Sequence, residues 1–186
     1  MDKLFPALCL LWIASEIRIL WHRRSGDAAR KRDAGTLRVL VVVIGASVAL
    51  AAGFDGLDVA RFPRHLQAPL WWLGIALILA GMPLRWWSIR VLARHFTVDV
   101  AIRPDHELVR RGPYRLLRHP SYTGLLMTFL GFALCLGNWL SLAAMLPVIL
   151  AFLWRIQVEE RVLAAAFGDR YAAYARGTKR LIPFVW

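Results

Sequence analysis

Acidic residues are scarce in this chain, 12 Asp and Glu against 24 Lys and Arg, and cysteine is nearly absent at two positions. Cys9 and Cys135 lie inside apolar runs with no His, Cys, Asp or Glu partner at a ligand spacing, which speaks against both a disulfide framework and a zinc site. No G-x-G-x-x-G follows a strand-like run, so the sequence offers no dinucleotide-binding sheet. The net charge of +12 has no basic helix, aromatic base-stacking platform or zinc-finger spacing beside it, and so does not point to nucleic acid. Polar residues are the largest shortage. The chain is 59% hydrophobic with a mean hydropathy of +0.50, where a soluble domain runs at about 45–50% apolar. Its solvent is the bilayer.

The apolar residues gather in runs of membrane length. Leu4 to Trp21 covers 18 residues, about 27 Å as a helix, close to the hydrocarbon thickness. Positive charge follows this run rather than preceding it, and no small-residue cleavage site stands before His22, so it reads as a first span and not a signal peptide. The segment from His22 to Arg38 carries six Lys and Arg, which places it in the cytoplasm and the N-terminus outside. Leu37 to Phe54 is a second span. Asp55, Asp58, Arg61, Arg64 and His65 nearly balance in the connection that follows, as outside loops do. Leu70 to Trp87 is a third span, with Pro83 as a candidate kink and tryptophan pairs at its two ends. Eight arginines and no lysine between Arg85 and Arg118 mark a second cytoplasmic segment. Tyr122 to Leu136 and Leu140 to Leu153 are short, about 21–23 Å each, and predict a hairpin that either crosses a locally thinned bilayer or dips in without fully crossing, and in both cases returns to the cytoplasm. The expected architecture is all-α, a polytopic membrane helix bundle of about five segments with a cytoplasmic amphipathic helix from Arg155 onward.

Several residues stand out within this frame. His106 through Tyr122 sets two histidines, two tyrosines, two prolines and several arginines between very apolar segments, more than a plain connector needs. The prolines stiffen the turn, and Ser121 is placed to cap a helix beginning at Tyr122. Gly124, Thr128 and Gly131 recur at i, i+4 and i+7, a face on which another helix can pack closely. Glu16, inside the first span, lines a polar cavity, reaches the headgroup level together with Arg18, or pairs with an arginine of a neighbouring helix. Glu159 falls one helical turn from Arg155, where an i,i+4 ion pair accounts for it. Glu160 instead shares a face with Leu163, Phe167 and Tyr171. A carboxylate on an apolar stripe needs a partner, water or ligand to be stable there.

The run His106, Glu107, Leu108, Val109, Gly112, Pro113, Tyr114, Arg118, His119, Pro120, Ser121, Tyr122 and Gly124 resembles the cofactor motif of the isoprenylcysteine carboxyl methyltransferases. This family is a branch of the membrane methyltransferases that include phospholipid N-methyltransferases. Arg155, Glu159, Glu160, Leu163, Phe167, Gly168, Tyr171 and Tyr174, closed by Arg180, Leu181, Ile182 and Pro183, is similar to the family's C-terminal signature. The resemblance covers residues 85–186 and implies one integral-membrane methyltransferase domain over 1–186, with N-terminal spans in 1–68 and the catalytic, cofactor-binding core in 85–186. It further implies that S-adenosylmethionine is bound without a Rossmann sheet and without a metal. His106, Leu108, Val109, Tyr114, His119 and Tyr122 would contact the cofactor, with Pro120 and Ser121 shaping the turn. Arg155 and Glu160 match the polar pair where cofactor and substrate meet. The expected substrate is a lipid-like acid entering from the bilayer, typically the carboxylate of a prenylated cysteine. Methylation of a phospholipid amine or a lipid phenol, or a non-catalytic lipid- or partner-binding protein on the same scaffold, are the alternatives.

Overall fold

The computed structural model describes residues 3–22, 35–57, 59–93 and 108–183. The basic segment 23–34 and the stretch 94–107, which includes the expected cofactor contact His106, lie outside the described residues. Among the described residues four stretches are long and apolar enough to cross a membrane: Leu4–Trp21, Thr36–Asp55, Arg64–Leu92 and Trp139–Phe167. The helices are α1 (Leu4–His22), α2 (Thr36–Asp55), α3 (Arg64–Leu92), α4 (Pro120–Cys135), α5 (Trp139–Ala143), α6 (Leu146–Phe167) and α7 (Asp169–Gly177), with a 3-10 turn at Gly112–Arg115. The bundle has a site end, carrying residues 108–122 and 155–183, and a far end, carrying residues 55–62 and 137–139.

The α1 helix is apolar all round and buries little of itself. Leu8 and Trp12 turn inward, with the Trp12 ring edge-on to Phe129 of α4 at 4.9 Å. Leu10, Leu11, Ile13, Ile17 and Trp21 stay exposed, as side chains facing lipid do. Its one carboxylate, Glu16, reaches α3. Both oxygens accept hydrogen bonds from Arg85, at 2.5 Å from Nε and 2.6 Å from Nη2, so the pairing expectation holds.

Helices α3 and α4 approach to backbone contact. A Cβ at Gly131 would stand 2.5 Å from the carbonyl oxygen of Gly74, and one at Gly124 would stand 2.5 Å from that of Gly81. The face Gly124–Thr128–Gly131 is therefore half of a glycine-on-glycine contact, with the Thr128 hydroxyl turned back to donate to the Gly124 carbonyl at 2.9 Å. Helix α3 runs unbroken through Pro83 and extends beyond the expected span at both ends.

The second arm of the expected hairpin is not one helix. A short α5 ends at Ala143, and α6 restarts at Leu146 with Pro147 in its first turn, where a missing N–H costs nothing. The residues between the arms form a lock rather than a spacer. Asn138 caps α5 through Oδ1, accepting from Leu140 N at 2.7 Å, while Nδ2 donates to the carbonyls of Phe54 and Val59. Arg61 joins in with an ion pair to Asp55 at 2.8 Å.

A second correction concerns the polar tail. No helix begins at Arg155, because α6 continues from the apolar span through Glu160 to Phe167 without interruption. Nothing between Leu153 and Phe167 breaks a helix. The breaker is Gly168, at φ 50°, and it puts Tyr171 on α7, off the stripe with Glu160. Inward-facing Val148, Ala151, Phe152, Arg155 and Ile156 then follow one face of one helix.

Candidate functional site

The sequence places a proline where it sets the start of α4. Pro120 takes the first helical position and His119 becomes the N-cap residue, with no side-chain cap. Ser121 is thus already inside the helix and does not cap it, contrary to expectation. Its hydroxyl accepts instead from Arg85 Nη1 at 3.0 Å, which ties the turn to the Glu16–Arg85 pair. The preceding turn is shaped by Gly112, at φ 58°, with a Cβ there 3.0 Å from Val91.

His119 and Tyr122 stack flat, with ring centroids 5.5 Å apart and planes 5° from parallel. Two consecutive carboxylates of α6 face the imidazole, Glu160 Oε1 at 3.4 Å from Nε2 and Glu159 Oε2 at 3.7 Å from Nδ1. The two motifs, 41 residues apart in sequence, meet here.

Glu160 finds the partners that its apolar face demands. Oε1 accepts from Arg118 Nε at 2.7 Å, and Oε2 from Arg180 Nε at 3.0 Å. Glu159 is the more open carboxylate, its side chain 30% exposed against 14% for Glu160. It accepts from the Tyr122 hydroxyl at 2.8 Å, and that hydroxyl accepts in turn from Arg155 Nε at 3.1 Å. Arg155, 2% exposed, also donates from Nη1 to the Thr36 hydroxyl at 2.7 Å. The Arg155–Tyr122–Glu159 chain and Glu160 with its cations lie on either side of His119.

A strap from the C-terminal signature closes this cluster. Arg118 N donates to Lys179 O at 2.7 Å, His119 N to Arg180 O at 3.1 Å and Lys179 N to Leu116 O at 3.0 Å, while the Thr123 hydroxyl donates to Leu181 O at 2.8 Å. The guanidinium of Arg118 adds bonds to the carbonyls of Ala175 and Thr178. The motif before α4 is thereby sewn to residues 178–181.

The tyrosines of the site stay neutral. Burial, and secondarily the charge of Glu159, raises the Tyr114 phenol well above its ordinary pKa, and burial pushes Tyr174 up to about 12. The Tyr174 hydroxyl is a hydrogen-bond donor at neutral pH, to the Tyr114 carbonyl at 2.8 Å. Tyr171 differs. Its hydroxyl is buried and has no hydrogen-bond partner among the described residues.

The cluster joins His119, Pro120, Ser121, Tyr122, Arg155 and Glu160 of the expected site, and Tyr114 reaches it through Tyr174. Leu108 and Val109 are half-buried and lead into Arg110, whose guanidinium lies 5.6 Å from the Tyr174 ring centroid. Sequence reasoning missed Thr36 and Arg85, each of which reads from sequence alone as an ordinary helix-end residue, while Arg118 stands in the matched motif without a role of its own there.

The phospholipid methyltransferase family model matches residues 70–170. Protein-S-isoprenylcysteine O-methyltransferase B of Arabidopsis thaliana is 37% identical over 134 residues, 69% of this chain and 67% of the plant protein. Protein-S-isoprenylcysteine O-methyltransferase of Saccharomyces cerevisiae is 34% identical over 116 residues, 61% of this chain and 48% of the yeast protein. The solved structure of a eukaryotic intramembrane Ras methyltransferase, an isoprenylcysteine carboxyl methyltransferase, superposes with a TM-score of 0.59 at 25% identity, covering 78% of this chain and 52% of that one. The chain thus spans about two thirds of the plant relative and about half of the other two.

Proposed function

The chain belongs to the phospholipid methyltransferase family, among relatives that are isoprenylcysteine O-methyltransferases, and on that premise we propose that it methylates the carboxylate of a prenylated cysteine or a similar lipid-like acid. The cofactor is S-adenosylmethionine, which when bound supplies an electrophilic methyl group on a sulfonium. The residues present fit such a guest. Anionic and cationic side chains meet around His119, matching a zwitterion with an added positive centre, and the buried Tyr171 hydroxyl is an orphan of the kind that a ligand group satisfies. Leu108, Val109, Tyr114, His119, Tyr122 and His106 are the candidate cofactor contacts. Pro120 and Ser121 fix the turn that presents them.

The observation that carries this reading is the Arg155–Tyr122–Glu159 chain beside the His119–Glu160 contact. Arg155 is the acceptor-binding residue. A carboxylate is ionised at neutral pH, needs no general base and gains from a buried guanidinium, whereas an amine acceptor gains nothing from one. With the cofactor bound, transfer would exchange its S–CH3 bond for a carboxyl O–CH3 bond, a change that would ask no side chain here to take a proton. Glu160 anchors His119, Arg118 and Arg180, and Glu159 places negative charge beside the cationic donor. The site residues therefore align the reactants and exclude water. The lipid tail of the acceptor comes from the bilayer, while the N-terminus lies outside and the site end faces the cytoplasm.

The test is methyl transfer from labelled S-adenosylmethionine in detergent, comparing a prenylated cysteine that has a free carboxylate with its amide and with an aminophospholipid. Label is expected only in the free acid, as a base-labile ester. Equal labelling of the aminophospholipid would reverse the acceptor assignment. Tyr171→Phe separates a ligand contact from plain packing. Losing an unpaired buried hydroxyl is neutral or stabilising to the fold, so the melting temperature is expected to hold or rise. The Kd for cofactor by calorimetry is expected to rise roughly fivefold to tenfold if that hydroxyl serves the ligand; unchanged affinity would remove Tyr171 from the site.

A further inference from the structure

Thr36 opens α2, and a threonine at the head of an apolar helix ordinarily reads as a boundary residue. Here it is 0% exposed. Its hydroxyl accepts from Arg155 Nη1 across 119 positions of sequence. Packing alone would be served as well by valine, which has nearly the same shape and no polar group to desolvate.

The guanidinium is planar and rigid, so two anchored nitrogens fix its plane. Nε is held by the Tyr122 hydroxyl of α4 at 3.1 Å, and Nη1 by Thr36 of α2 at 2.7 Å. Thr36 itself cannot slide along the α2 axis, because the other end of that helix is pinned. The Ser141 hydroxyl donates to Ala51 O at 2.8 Å, and Asn138 Nδ2 to Phe54 O at 3.2 Å. Gly35, at φ 75°, turns the chain into the helix at the near end. The direction of the Arg155 fork is therefore set jointly by α2 and α4, although Arg155 belongs to α6.

We propose that Thr36 is a positioning residue for the acceptor: its hydroxyl aims the Arg155 guanidinium at the acceptor carboxylate, and acceptor affinity depends on it. This rests on the reading of Arg155 as the acceptor-binding residue. Thr36 does not touch the reacting atoms in this account. It acts through Arg155, so its loss is felt on one substrate and not on the other.

The test compares Thr36→Val, Thr36→Ser and Arg155→Gln in the full chain, reading KM for acceptor, KM for cofactor, and the melting shift caused by acceptor with no cofactor present. Thr36→Val is expected to raise the acceptor KM roughly tenfold to thirtyfold and to abolish the acceptor-induced melting shift, with the cofactor KM unmoved. Thr36→Ser, which restores the hydroxyl, is expected to return both. An acceptor KM that is unchanged in Thr36→Val while Arg155→Gln raises it steeply overturns the positioning role and leaves the Arg155 reading standing. Parallel loss of acceptor affinity, cofactor affinity and melting temperature in both Thr36 variants overturns it too, as a general packing defect. If Arg155→Gln itself leaves the acceptor KM unmoved, the reading beneath the proposal fails.

Discussion

Arg155→Gln is expected to lower kcat/KM for the carboxylate acceptor by two to three orders of magnitude. The side chain is 2% exposed, so the ion pair it offers is desolvated and its removal leaves the guest carboxylate in a low-dielectric site without a counter-charge. Truncating one partner of a buried, hydrogen-bonded charge pair costs about 2–5 kcal/mol, and about 1.4 kcal/mol is a factor of ten. Arg155→Lys keeps the charge but loses the planar fork that reaches Tyr122 and Thr36 together, and is expected to fall between wild type and Gln. Initial rates with labelled cofactor at varied acceptor concentration give the comparison, with a melting curve for each variant to separate chemistry from folding. Activity of Arg155→Gln within threefold of wild type would show that another group receives the acceptor.

The second large effect is on stability. Gly131→Val puts side-chain atoms where a Cβ alone would lie 2.5 Å from Gly74 O, 2.9 Å from Ile78 Cγ1 and 3.1 Å from Ile78 N. Two of these three atoms are helix backbone, which cannot rotate away, so α3 and α4 must separate along their contact. Overpacking of this kind costs ~3 kcal/mol, and in a membrane little hydrophobic drive remains to hold parted helices together. Gly131→Val is expected to lower the melting temperature in detergent by several degrees and to reduce the yield of folded protein. The control is Gly53→Ala, where a Cβ meets nothing within 4 Å, and there the melting temperature is expected to hold. Equal melting of the two variants would mean that α3 and α4 are not in the contact described.

Much of this could be read from the sequence, and the reasons for the rest are specific. Apolar runs report their own length, so the spans were legible, and the spacing of Gly124 and Gly131 reported a close-packing face. Periodicity names a face but not its partner. Gly74 and Gly81, the other half of that contact, sit inverted in a segment whose tryptophans and leucines draw the eye as an ordinary span. The hydroxyl of Ser121 was misassigned because Pro120 moves the helix start by two residues, turning a cap into a receiver for Arg85. Glu16 was readable as one half of an ion pair because a lone carboxylate in a span demands a cation. Glu160 was recognisable on the same ground, as a charge out of place on its helix face, although three groups satisfy it and not one. Thr36 gave no such sign. A threonine at a helix start violates no local rule, and only the fold brings it to Arg155.

The strap formed by residues 178–181 has a consequence for biosynthesis. Those residues are translated after the four membrane-length helices of the described residues, yet they supply the carbonyls that hold Arg118 and His119 and the guanidinium that grips Glu160. A nascent chain can therefore insert and pack those four helices before the His119 and Glu160 cluster has its full set of partners.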